Sequence, residues 1–329
     1  MKNRKFQVFS NFRELGLVFF IIILSIAVQF RTQEFFTLNN MNNLFTNTAI
    51  LGILSVGMML VLLTGGIDLS IGAVIAFTGM VSALTAKNFP ELHPAIVVLE
   101  GALIGAVVGF ITGILVSRFS ILPIIASLGM MNIMRGMTYV ASRGAWVSAY
   151  QMPDSFKRMA TNRFLGINNL IIIAIVVYIV FYFFINHSKT GRRIYAVGSS
   201  REAADIIGLP SKRIVTLVYV LMGFLAGLGG VLWVSKFASA QGDTALGYEL
   251  NVIAACVLGG IAVSGGRGSV GGLVLGVILF GILANALPLI NVSPFWQQAI
   301  QGFVILAAII TNVMIKRNHD RSNLRRRAI

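Results

Sequence analysis

The chain has 329 residues, 57% hydrophobic and only 11% charged, with a mean hydropathy of +0.85 and a formal net charge of +15. A soluble domain carries about 25% charged residues, so this composition excludes one and predicts an all-α polytopic membrane protein, a single membrane domain over 1–329. The lone Cys256 excludes an intrachain disulfide, and His93, His187 and His319 are too scattered to ligate a metal together.

In chain order, a basic start leads into a first apolar run at 15–30, LGLVFFIIILSIAVQF. Ser25-Ile26-Ala27 is a weak cleavage site, and the rest of the chain is as apolar, so an uncleaved span is expected. Further spans are predicted at 44–63, 70–86, 95–117, 121–141, 168–186, 214–232, 250–264, 271–290 and 296–315, near the length of about 20 residues that crosses a bilayer. The run at 121–141 is polar for a span and that at 250–264 is short, so the count is bracketed between eight and eleven. Ten crossings return both termini to one side. Of the 26 Lys and Arg, four lie in 1–14, six in 187–213 and six in 316–329. An even count puts all three clusters on one face, and their excess marks it as cytoplasmic. The net charge is therefore read as membrane orientation, not as a nucleic-acid surface. The 142–167 loop fits least well, with Arg143, Lys157, Arg158 and Arg163 against Asp154 on the opposite face.

The apolar pattern breaks at TGGIDLSIGA, 64–73. Gly65-Gly66 ends one span, and Asp68 either caps the next at the cytoplasmic edge or lines a solute path at a broken helix. A similar block, GGIAVSGG at 259–266, matches GGIDLSIG at 65–72, by internal duplication or by chance. Glu249 is either a first-turn acid of the following helix or a contact for an outer partner, because 233–249 is expected to face outward. Asn132, Gln297, Gln298 and Gln301 either bind a passing hydroxylated solute or bond helices together. Glycines recur every four residues at 101, 105, 109 and 113, at 223 and 227, and at 268, 272 and 276. Each set lines one helix face and predicts close helix packing, within one subunit or at a dimer seam.

Enzyme chemistry finds little support. There is no phosphate loop, and GRGSVG at 266–271 matches GxGxxG without the preceding strand or the acid about 20 residues on that a dinucleotide site needs. The soluble-facing 187–213 loop is more informative. Ser199 is placed as N-cap, with Glu202 closing a capping box. Helix formers run from Arg201 to Ile207, Gly208 provides the C-terminal cap, and Pro210 forbids continuation. Such a two-turn helix falls short of the roughly 12–15 residues that hold a helix alone in water, so a surface must dock it: its own membrane helices, the bilayer, or a partner's groove.

Four blocks carry a resemblance: TGGIDLSIGA (64–73), GRRIYAVGSSREAADIIGL (191–209), GYELNVIAACVLGGIAVSGGRGSVGG (247–272) and FWQQAIQGFVI (295–305). In this order they resemble the ribose-type permeases of bacterial ATP-binding-cassette importers, although that family usually has Gly-Asn where this chain has Ser199-Ser200. The resemblance implies a multi-pass subunit of the bacterial inner membrane with both termini cytoplasmic. It imports a sugar or sugar-like solute, a small sugar-diol derivative included; branched-chain amino acid permeases share the wider superfamily. The short helix would be the coupling element, the family pattern carrying over onto Gly191, Arg192, Ser199, Glu202, Ala203, Ala204 and Gly208. The implied partners are a second permease copy or similar paralogue, a cytoplasmic ATPase subunit that holds the ATP and Mg, a periplasmic or lipid-anchored sugar-binding protein, and membrane lipid; this chain needs no cofactor and is not an enzyme. Asp68, Asn132 and Glu249 are the candidates for a pathway or gate. The rival readings are an ion-gradient-driven secondary transporter, which needs an intramembrane ionisable site, and a membrane scaffold, which leaves the capped helix without a purpose.

Overall fold

The structure, a computed structural model, describes residues 2–293, 295–303, 306, 307 and 310. Five helices come first: α1 (Lys2–Thr32), α2 (Leu38–Leu63), α3 (Ile71–Asn88), α4 (Pro94–Ser117) and α5 (Pro123–Ser142). A small module follows, made of a 3-10 turn (Ala149–Gln151), α6 (Asp154–Thr161) and an antiparallel hairpin of β1 (Arg163–Phe164) and β2 (Ile167–Asn168). The remaining helices are α7 (Asn169–His187), α8 (Lys189–Ser199), α9 (Arg201–Ile206), α10 (Ser211–Phe237), α11 (Tyr248–Leu258) and α12 (Val270–Leu289). Residues 295–303 are helical; the rest of the expected 296–315 span lies outside the described residues, apart from 306, 307 and 310.

Among the described residues seven helices are long and apolar enough to cross a membrane: α1 from Glu14 onward, α2, α3, α4, α7, α10 and α12. Their starts follow local chemistry. Thr37 caps α2 by accepting from the Asn40 N–H, Asn168 caps α7 through the Leu170 N–H, and Ser269 caps α12 through the Gly272 N–H. Pro94 and Pro123 open α4 and α5, where a missing N–H costs nothing.

Helix α2 is buried on every side from Thr48 to Leu63 and forms the centre. Around it stand α7, α10, α11 and α12, with α3 and α4 packed on α10, α5 on α3 and α1 on α12. Lipid is as apolar as leucine, so packing, not water exclusion, holds helices together here. The periodic glycines serve that end inside the subunit. Gly101, Gly105, Gly109 and Gly113 of α4 lie directly against the α10 backbone at Gly227, Gly223, Tyr219 and Thr216, which sets the two helices antiparallel. A Cβ at Gly105 would run into the Gly223 carbonyl. Gly272 and Gly276 of α12 receive the end of α11 in the same way, at Gly259 and Ala255. Asn40 and Asn285 add a reciprocal amide pair between α2 and α12, at 3.1 Å each way; such bonds average about 0.6 kcal/mol in membranes.

One expected span is interrupted, and the expected break at 64–70 is present. The 250–264 run is helical only to Leu258, and 259–269 is irregular chain. An 11-residue helix is about 16 Å long, roughly half the hydrocarbon thickness. The segment 64–70 is likewise non-helical between α2 and α3. Both breaks begin with the same hydrogen-bonded stop: Gly65 and Gly66 N–H donate to Leu62 and Val61, and Gly260 and Ile261 N–H donate to Val257 and Cys256. The left-handed residue is Gly65 in the first and Gly260 in the second. The sequence match aligns Gly65 with Gly259, so the two stops are one residue out of register with it.

Candidate functional site

The 187–213 loop forms two helices, not one. Ser188 caps α8 by accepting from the Gly191 N–H at 2.8 Å, and a Cβ at Gly191 would strike the Ile185 carbonyl of α7. Gly191 is thus what lets α8 fold back tightly on α7, while Arg192 is exposed. Ser199 is not the N-cap. It is the last residue of α8, its hydroxyl donating to Tyr195 O, and the cap of α9 is Ser200, which accepts from the Ala203 N–H at 3.2 Å. Glu202 therefore sits one position too early for a capping box and acts as a first-turn acid. The shift arises because α8 extends one residue into the stretch the cap was expected to occupy. The C-terminal stop is as expected: Gly208 at φ +76, with Gly208 and Leu209 N–H donating to Asp205 and Ala204. Ala204 is buried; Glu202, Ala203, Ile206 and Ile207 are exposed, the two isoleucines at 85% and 72%.

Helix α8 is docked on both breaks at once. A Cβ at Gly198 would collide with the Leu63 carbonyl at the end of α2, and that same carbonyl accepts the Gly266 N–H at 2.9 Å. A Cβ at Gly266 would meet Ser199, and the Tyr195 hydroxyl donates to Gly268 O at 2.9 Å. Burial of Tyr195 holds its phenol above the ordinary range. One junction therefore joins α8, the end of α2 and the irregular 259–269 chain.

From that junction 64–70 leads into α3, and 259–269 leads back to the end of α11; α3 and α11 both begin inside the protein. Helix α3 runs parallel to α10, with Ile75 against Gly230 and Gly79 against Val234. Gly230 lies two turns, about 10 Å, short of the end of α10, and Gly72 about 5 Å deeper still. Asp68 is buried at 3% exposure. It is neither at the membrane edge nor at the N-cap: Ser70 holds the cap position, and Asp68 Oδ1 accepts from the Ser70 N–H at 2.8 Å and the Ser70 hydroxyl at 2.6 Å. The neighbouring Ile67 carbonyl takes the Tyr219 hydroxyl at 3.3 Å, about 12 Å along α10 from its start.

The 233–249 region does not stay outside. Ala240 pairs with Val147 near the far end of α10, yet the Ala245 carbonyl reaches Gly72 in the first turn of α3. The chain turns inward between them, and α11 starts at that depth. Glu249 is the first-turn acid expected, and it is half-buried: a Cβ on Gly72 would come within 2.6 Å of its Oε2. The structure thus brings Asp68 and Glu249 to the same α3 start. Asn132 does not join them; it is exposed on α5 and donates to its own helix at Leu128 O. The residue missed by sequence reasoning is Arg135. Its Nη1 donates to Gly242 O at 2.9 Å and Thr244 O at 2.8 Å, holding the descending chain to α5. A lone cation inside the 121–141 span was the available signal.

Two helices, α3 and the short α11, whose N-termini meet inside the protein, with irregular chain buried among helices, mark a transport permease: such backbone is tolerated at this depth only inside protein or beside a cavity, and transporters place solute sites there. The comparisons agree. The chain belongs to the branched-chain amino acid transport system / permease component family, whose model matches residues 40–309. It is 35% identical over 294 residues to the ribose import permease protein RbsC of Escherichia coli, covering 89% of this chain and 91% of that one. It is 37% identical to RbsC of Bacillus subtilis, covering 90% of each. It is 34% identical to the L-arabinose ABC transporter permease protein AraH of Azospirillum brasilense, covering 93% of this chain and 89% of that one. No solved structure matches the chain.

Proposed function

We propose that this chain is the membrane subunit of an ATP-driven, binding-protein-dependent importer of a sugar or sugar-like solute, a ribose-type monosaccharide first. ATP and Mg are held by a separate cytoplasmic ATPase subunit, and this chain needs no cofactor. A binding protein delivers the solute on the opposite face, and a second permease copy completes the membrane part. The 187–213 loop and both termini lie on the cytoplasmic side, as the basic clusters favour.

The observation that carries this reading is the shared junction of Gly198, Leu63 and Gly266. The ATPase grips α9 through Glu202, Ala203 and the exposed Ile206 and Ile207, with Arg192 alongside. Its closure on ATP moves α8. Because α8 meets the two breaks backbone to backbone at Gly198, displacement passes to 64–70 and 259–269 and tilts α3 and α11. Asp68 and Glu249 lie where those helices begin, and so at the route the solute takes. The rival, an ion-gradient transporter, has no use for an exposed apolar α9 joined to a helix, α8, that is docked on both breaks.

The test is D-ribose uptake into vesicles holding this chain, its ATPase subunit and its binding protein. Uptake is expected to require ATP, to survive collapse of ion gradients, and to be lost in Glu202→Arg while the permease still reaches the membrane. Uptake that persists without the ATPase subunit and stops with the gradient refutes the proposal.

A further inference from the structure

We infer that Arg135 is the positioning residue that holds the 238–247 segment inside the membrane domain as its closed barrier; the transport role of that barrier rests on the function proposed above. The segment FASAQGDTALG, 237–247, is polar for its depth, with Ser239, Gln241, Asp243 and Thr244. From Ala238 on it belongs to no helix or sheet beyond the isolated Ala240–Val147 bridge. Within itself it forms tight turns, with Thr244 N–H donating to Gln241 O, Leu246 N–H to Asp243 O and Gln241 N–H to the Thr244 hydroxyl; its ties to other elements are the Ala240–Val147 pair at one end, the approach of Ala245 to Gly72 at the other, and Arg135 and Tyr139 of α5 between them. Ala238 and Ala245 both adopt left-handed backbone, at φ 51 and 54, a conformation that costs about 1 kcal/mol or more in a residue with a Cβ. The descending path is therefore held against a local preference to relax.

The guanidinium suits the task. Two carbonyls of one loop, two residues apart, converge on Nη1. Among the described residues Lys157–Asp154 is the ion pair formed, so no carboxylate takes Arg135 away from those carbonyls. Glu249, Tyr139 and Asp243 lie within electrostatic reach of the guanidinium. Gly242 adds a second contact: it is buried against the Tyr139 ring, one turn along α5 from Arg135, with no room for a Cβ. Helix α5 itself packs chiefly on α3, the helix that the junction would move. A shift of α3 therefore carries α5 and its Arg135 away from the loop, and the barrier opens from the side.

The test reads the loop without any solute. Cys256 is buried and free, so Ala245→Cys, itself 9% exposed, places one reportable thiol on the barrier. In otherwise wild-type protein in vesicles, a membrane-impermeant maleimide should label it slowly. Adding Arg135→Gln should speed labelling about tenfold or more, the population change that goes with losing one charged hydrogen bond. Arg135→Lys, with a single ammonium on a flexible stem, should fall between. Gly242→Ala, which wedges the loop off Tyr139 without touching the charge, should act in the same direction; these two keep the test open if Arg135→Gln fails to insert. Labelling equally slow in all three inserted variants, or already fast with Arg135 intact, overturns the inference. If labelling responds as expected while D-ribose uptake is absent, the sugar assignment falls and the role of Arg135 stands.

Discussion

Gly198→Ala adds one methyl group at the point where α8 meets both breaks. Its Cβ would overlap the Leu63 carbonyl and lie 2.8 Å from the Gly266 nitrogen, where carbon needs about 3.5 Å. Neither neighbour is a side chain able to rotate away. The methyl either parts α8 from α2 or breaks the Gly266–Leu63 hydrogen bond at 2.9 Å. Losing that bond costs about 1 kcal/mol, and overpacking adds about 1–3 kcal/mol. The sum, about 2–4 kcal/mol, is a roughly 30- to 1,000-fold shift in the intact junction. The exposed face of α9 is untouched, so the ATPase subunit should still bind and hydrolyse ATP while uptake falls at least tenfold, and the purified permease should melt at lower temperature in detergent. Wild-type uptake together with an unchanged melting temperature would show that the junction is not as close as described and would remove the mechanical argument.

Other substitutions separate local roles. Ser200→Ala removes the α9 cap, worth about 1 kcal/mol, and should weaken ATPase-subunit binding about fivefold in a pull-down titration, whereas Ser199→Ala should leave it within twofold. Asp68→Asn keeps an oxygen for the Ser70 N–H and should reach normal membrane levels. Asp68→Leu orphans a buried N–H and a buried hydroxyl, at about 2–6 kcal/mol together, and should lower levels on immunoblots. If Asp68→Asn inserts normally yet loses uptake, the charge itself serves the route.

Much of the fold is legible locally. Hydropathy marks the helices, because apolar length is read along the chain. Gly208 and Pro210 end α9 as expected, because a left-handed stop needs only neighbouring residues. The glycine spacing of four predicts close packing, and the partners of Gly105 and Gly109 on α10 supply it. The misreadings have local causes too. Ser199 and Ser200 are adjacent and both able to cap, and which one does so is set by how far α8 runs, which depends on its docking at Gly198 and Tyr195. Glu249 is placed correctly at a helix start but not at its depth, since hydropathy tells how much chain is apolar and not where a polar loop turns inward.

The sequence alone determined that this is a helical membrane protein, where α2 and α9 stop, and which short segment is too brief to stand without a dock. Those properties follow from hydrophobic length, caps and turn residues, all of which act within a few positions. Tertiary structure decided which ends meet: that α8 rests on both breaks, that α3 and α11 begin in the interior, and that Arg135 bonds carbonyls 107 and 109 residues away. A buried carbonyl must find a donor somewhere, but its chemistry is the same in every residue. Only the packing of whole helices selects the donor.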